Sequence, residues 1–146
     1  MKYEVFTSSI KKSNNSTSKK LAFIFVLLLA ASCSLDQSRA KATVEALEQK
    51  INAGDYAATS QYYSEGMNSS ESVDQRAEKF KKLHDVFGDF VSMECVSATN
   101  ATDPNDQPCL NLEYKVKHTK MTSIEDFTIV SEGGSYKVTV HDIKQN

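Results

Sequence analysis

The chain has 146 residues, enough for one domain with a tail but not for two sizeable cores. At 40% hydrophobic and 25% charged it is neither collagen-like nor disordered throughout, and a net charge of −2 lacks the basic surplus of a nucleic-acid binder. The charge is uneven. Residues 1–32 carry five lysines and one acid, leaving twelve basic and eighteen acidic side chains beyond them, a formal −6.

The leader has the layout of an export signal. Lys19-Lys20 precedes Leu21–Ala31, eleven residues without a polar side chain. A spanning helix needs about 20 such residues, whereas a secretory h-region needs 7–15. Leu29-Ala30-Ala31-Ser32-Cys33 then resembles the lipobox of bacterial lipoproteins, departing from it in having Ala30 where a bulky aliphatic residue is usual, with Leu29 one place further out. The resemblance implies that residues 1–32 are removed and that Cys33 becomes the acylated N-terminus, carrying diacylglycerol and palmitate. Ser34, rather than Asp, after the cysteine implies the outer membrane, facing the periplasm. Ala30 and Ser32 also satisfy the ordinary signal-peptidase rule, so simple secretion is the alternative.

With Cys33 acylated, Cys95 and Cys109 remain as an even pair in an oxidising compartment. A disulfide between them is expected, closing a loop of about 15 residues for about 3 kcal/mol in the chain-entropy model. Two buried free thiols are the alternative. A metal site is not expected, because the cysteines form no CxxC and have no nearby histidine.

Residues 33–38 read as a tether and 39–146 as one domain. From Asp36, Ala40, Val44, Leu47 and Ile51 place an apolar stripe on a rod whose polar side carries Lys41, Glu45, Glu48 and Lys50, and Gly54 ends this first helix. Asp55 caps a second, Tyr56 to Tyr63, followed by a loop over 64–69. Ser72 and Gln75 form a capping box for a third, with Val73, Ala77, Phe80, Leu83 and Phe87 as its stripe and Gly88 as its stop.

Four strands follow: Phe90–Ala98, Cys109–Thr119, Ile124–Ser131 and Ser135–Ile143, rich in β-branched and aromatic residues. Leu110, Leu112, Tyr114 and Val116 share one face of the second. In the fourth, Tyr136, Val138 and Val140 alternate with Lys137, Thr139 and His141. Cys109 falls on the polar parity of its strand while Cys95 shares parity with Val91 and Met93, so a bridge between them requires a bulge or a strand end. The expected fold class is α+β: helices packed on one face of a curved four-stranded antiparallel meander.

Asn52-Ala53-Gly54-Asp55-Tyr56-Ala57-Ala58, Phe87-Gly88-Asp89-Phe90-Val91-Ser92 and Glu125-Asp126-Phe127-Thr128-Ile129-Val130 with Gly134-Ser135-Tyr136-Lys137-Val138 resemble small envelope proteins of the DUF4019 type, with an NTF2-like (cystatin-like) fold. The likeness spans most of residues 38–143. Its motifs are turns and strand alternation, and Tyr136 and Val140-His141 stand where that family carries Trp and a Gly-Tyr pair late in the chain. It implies a cone that can enclose a pocket and supplies no catalytic residue.

For an isomerase-like pocket enzyme the candidates are Asp126 or Asp142 as base and Tyr62, Tyr63, Tyr114 or Tyr136 as oxyanion donor. None lies in a distinctive motif. His84, His118 and His141 are scattered without ligand spacing and are expected at the surface, like Lys79, Lys81 and Lys82. No phosphate loop, GxSxG or HExxH occurs, and no cofactor is expected. The sequence therefore favours a non-catalytic, membrane-tethered binding or accessory module, docking an envelope protein or a small apolar ligand, over a pocket enzyme. A strongly raised acid within a buried pair would favour the enzyme, and an exposed apolar patch the module.

Overall fold

The computed structural model describes residues 34–146. The export signal and Cys33 lie outside the described residues. Among these, four helices precede four strands: α1 Gln37–Asn52, α2 Tyr56–Thr59, α3 Glu65–Ser70, α4 Val73–Phe87, β1 Phe90–Thr102, β2 Pro108–His118, β3 Thr122–Glu132 and β4 Ser135–Gln145. The strands form one antiparallel sheet in the order β1-β2-β3-β4. The chain is thus α+β, as its patterning predicts.

Local chemistry sets most boundaries. The Asp36 carboxylate accepts from the amides of Ser38 and Arg39 and starts α1. Gly54, at φ +71°, turns the chain out of it. Ser72 and Gln75 close the capping box of α4 reciprocally. Gly88 ends that helix at φ +82°, where a Cβ would sit 2.1 Å from Thr119 Oγ1, so only glycine fits.

Two expectations are corrected. The second helix stops after one turn because the chain from Tyr62 to Ser64 pairs with the edge of β4: Val138 N–H donates to Tyr62 O (2.8 Å) and Ser64 N–H to Val138 O (2.9 Å). The expected loop over 64–69 is mostly helical, since the Ser64 hydroxyl accepts from Met67 N–H and caps α3.

The core lies between the helices and one face of the sheet. Ala40, Val44 and Leu47 of α1 pack against Leu110, Leu112, Tyr114 and Val116 of β2 together with Phe127, Ile129 and Val138. The β2 residues are those its alternation predicts. The remaining departures come from bulges. In β1 the pairing slips between Phe90 and Ser92 and between Cys95 and Ser97, which turns Val91 and Val96 out to solvent. In β4, Ile129 pairs with Val138 but Thr128 with Val140, leaving Thr139 as an extra residue. From there on the parity is inverted: Val140 is exposed and His141 buried, the reverse of the sequence expectation.

The expected disulfide is also corrected. Cys95 lies opposite Tyr114 and Cys109 opposite Ala101. Five residues of extended chain, about 17 Å, separate Tyr114 from Cys109, and a disulfide tolerates at most about 7 Å between Cα atoms. Both thiols are free, Cys109 buried at the core margin and Cys95 half-buried.

Candidate functional site

Three buried ionisable residues meet between α1 and the sheet. Glu48 extends the α1 stripe, four residues after Val44 and three before Ile51, and is buried rather than on the polar side of the rod. Glu125 shares a face of β3 with Ser123, Phe127 and Ile129. His141 is delivered by the β4 bulge and stacks on Phe127, ring centroids 4.2 Å apart. One ligating atom from each lies within 4.8 Å of the others.

The contacts are specific. His141 Nε2 is 3.1 Å from Glu125 Oε2 and 3.9 Å from Glu48 Oε1, and its Nδ1 is 3.0 Å from the Tyr63 hydroxyl. Ser123 Oγ donates to Glu125 Oε1 at 3.0 Å, and His118 Nε2 lies 3.2 Å from that Oγ. Among the described residues Glu48 Oε1 has no hydrogen-bond partner. Burial, and then the charge of Glu125, raises the Glu48 pKa well above the carboxylate range. Burial also pushes Glu125 upward, but His118, His141 and Ser123 outweigh it and bring that carboxyl down to about 2. Tyr63 is raised by burial and then by Glu48.

Glu48, Glu125 and His118 line a cleft of about 480 Å³ between the end of α1, α4 and the sheet. Ile51, Tyr56, Phe80, Leu83, Phe87 and Phe90 supply its apolar wall. Such a volume suits a small molecule, apolar along most of its length with a polar end.

Of the pocket residues proposed from the sequence only Tyr63 joins this cluster, together with His118 and His141, which were expected at the surface. Tyr62 is half-buried and contributes its backbone to the β4 edge. Tyr114 is buried edge-on to Phe127, its hydroxyl without a partner among the described residues. Tyr136 accepts from Asp36 N–H at 2.7 Å, with the Arg39 guanidinium 4.8 Å over its ring. Asp126 lies on the opposite sheet face, 2.6 Å from Lys144, and its cross-strand neighbour Asp142 is exposed. His84 is exposed as expected and pairs with Asp89 at 3.0 Å, while His118 is largely enclosed.

The sequence reading missed Glu48, Glu125 and Arg76. Arg76 heads the true inner stripe of α4, with Phe80, Leu83 and Phe87 following at steps of 4, 3 and 4. It is 1% exposed, bonded to Glu71, Asn68 and Thr59, with its guanidinium 4.1 Å above the Tyr63 ring.

Compared with known proteins, the chain matches no family model and no curated protein.

Proposed function

We propose that this protein is a lipid-anchored module of the bacterial envelope, NTF2-like in fold and related to the DUF4019-type proteins, whose cleft binds a small molecule. The single observation that carries the binding reading is a cleft lined by two buried carboxyls of different elements. Burying two carboxyls together opposes folding, through lost hydration when protonated and repulsion when ionised, and packing alone offers no reason to place them in a cleft. The helices-then-meander order and the bulged sheet support the fold assignment, and the lipobox supports the anchor. A bound molecule would lay its apolar part along Ile51, Leu83 and Phe90 and turn its polar end to Glu48, Glu125 and His118. The isomerase-like alternative loses both of its candidate bases, because Asp126 and Asp142 face away from the cleft. The raised acid Glu48 beside Glu125 in the cleft nevertheless meets the criterion set for an enzyme and keeps that reading as the second one.

The chain has no tryptophan, so Leu83→Trp places a single fluorescent reporter on the cleft wall. Titration with N-phenylnaphthylamine, an uncharged apolar amine, should change its emission saturably. No change at saturating dye would overturn the cleft reading. For the anchor, Cys33→Ala should abolish fatty-acid labelling and move the protein from the detergent to the aqueous phase. Unchanged partitioning would sink it.

A further inference from the structure

We infer that Glu48, Glu125 and His141 form a binding site for a divalent transition-metal ion, with zinc the best suited. The inference rests on the cleft reading above and names what its buried end takes. A tetrahedral zinc site with bonds of about 2.1 Å separates its ligand atoms by about 3.4 Å. The two separations from His141 Nε2, 3.1 Å to Glu125 and 3.9 Å to Glu48, bracket that value. The three atoms come from α1, β3 and β4, so an ion would tie the helical layer to the sheet.

Independent support comes from Glu48. Its side chain is 6% exposed, and Oε1, the atom nearest His141, lacks a partner in a fold that satisfies almost every other buried polar side chain described. Among the described residues the ion-pair partners of Glu48 and Glu125 are imidazoles alone, with no lysine or arginine within 4.0 Å. Were both carboxyls ionised they would need a cation beyond these imidazoles, and no described lysine or arginine lies close enough to supply it.

The surrounding groups are those a metal centre needs to orient its ligands. With Nδ1–H donated to the Tyr63 oxygen, His141 would give up the Nε2 proton it shares with Glu125 and offer that lone pair to an ion. Ser123 holds Glu125 by Oε1 and leaves Oε2 for the ion. The imidazole argues against calcium and magnesium, which take oxygen ligands. The cleft leaves room for a fourth ligand, either water or the polar end of a bound molecule.

The test is calorimetric titration of the chelator-stripped, full-length mature protein with zinc chloride, alongside native mass spectrometry. One zinc per chain is expected, undisplaced by excess magnesium or calcium. Glu48→Gln keeps the shape, removes one anionic ligand and should weaken binding at least tenfold with an unchanged circular dichroism spectrum. Tyr63→Phe should weaken it about 10- to 100-fold, as loss of a group supporting a ligand does, and it covers the case in which the glutamine variant fails to fold. Absence of zinc binding, or binding unchanged in both variants, overturns the site. Zinc lost only in His84→Ala overturns it too, by moving the ion to the exposed His84–Asp89 pair. Dye titration of the Leu83→Trp protein in chelator separates the two readings: dye binding there, with no zinc bound in the calorimetry, defeats the metal site alone, and failure of both titrations defeats the cleft as well.

Discussion

The guanidinium of Arg76 is met on every side: by Glu71 and Asn68, by the Thr59 hydroxyl, and from below by the Tyr63 ring. It joins α2, α3 and α4 through one side chain and braces Tyr63, which in turn holds His141. Arg76→Ala should therefore destabilise the protein by about 3 kcal/mol, the lower end of the range for breaking a buried pair, because Glu71 keeps part of its hydration. Arg76→Met, which fills most of the volume, should lose less. Urea denaturation of the two variants checks this order, and equal losses would mean that the charge and its hydrogen bonds, not volume, are what Arg76 supplies. Arg76 was hidden in the sequence because a charged residue at a stripe position reads as the end of the stripe.

At the scale of elements, the β4 bulge decides which residues enter the core. Because Thr139 is the unpaired residue, deleting it should leave Val140 outside and His141 inside. The loss should be close to that of the Thr139 hydroxyl bond to Thr128 O, about 1 kcal/mol. In a regular strand the same deletion would invert every later residue. Imidazole NMR signals of His141 that stay shielded from solvent would confirm the bulge, and signals typical of a free imidazole would refute it.

The β1–β2 loop makes a pH prediction. Asp103 accepts from the amides of Gln107 and Asn105, which lower its pKa, Gln107 contributing most. A lowered folded pKa means that the stabilisation is complete above the unfolded value, about 3.9, and is lost as the pH falls through the folded one. Amide exchange at Asn105 and Gln107, corrected for intrinsic rates, should quicken only below about pH 4. Asp103→Ala should show the fast exchange at every pH.

For the whole molecule, stability among the described residues comes from one helix-covered sheet face without a covalent staple. Reducing agent should leave the thermal midpoint unchanged. After unfolding, Cys95 and Cys109 should both react with maleimide under non-reducing conditions, and a midpoint that falls on reduction would restore the bridge. The even count and oxidising compartment that suggested the disulfide are properties of composition. They carry no information about register, which places the two thiols at different levels of the same ladder.

The starts of α1, α2 and α4, the glycine stops, the four strands and the buried face of β2 were legible in the sequence because each is set by neighbours a few residues away: a capping side chain, a positive φ, an alternation of period two. The cleft residues were not legible. Glu48, Glu125 and His141 are far apart in the chain and lie in different elements, and each occupies a position that local pattern assigns to solvent or leaves ambiguous. Both parities of β3 mix apolar with polar residues, so alternation cannot choose its inner face. One extra residue in β4 then reverses the assignment of everything after it. Only the assembled packing of α1 on β3 and β4 decides which charges leave water, because that cost is set by what surrounds a side chain in space and not by what flanks it in sequence.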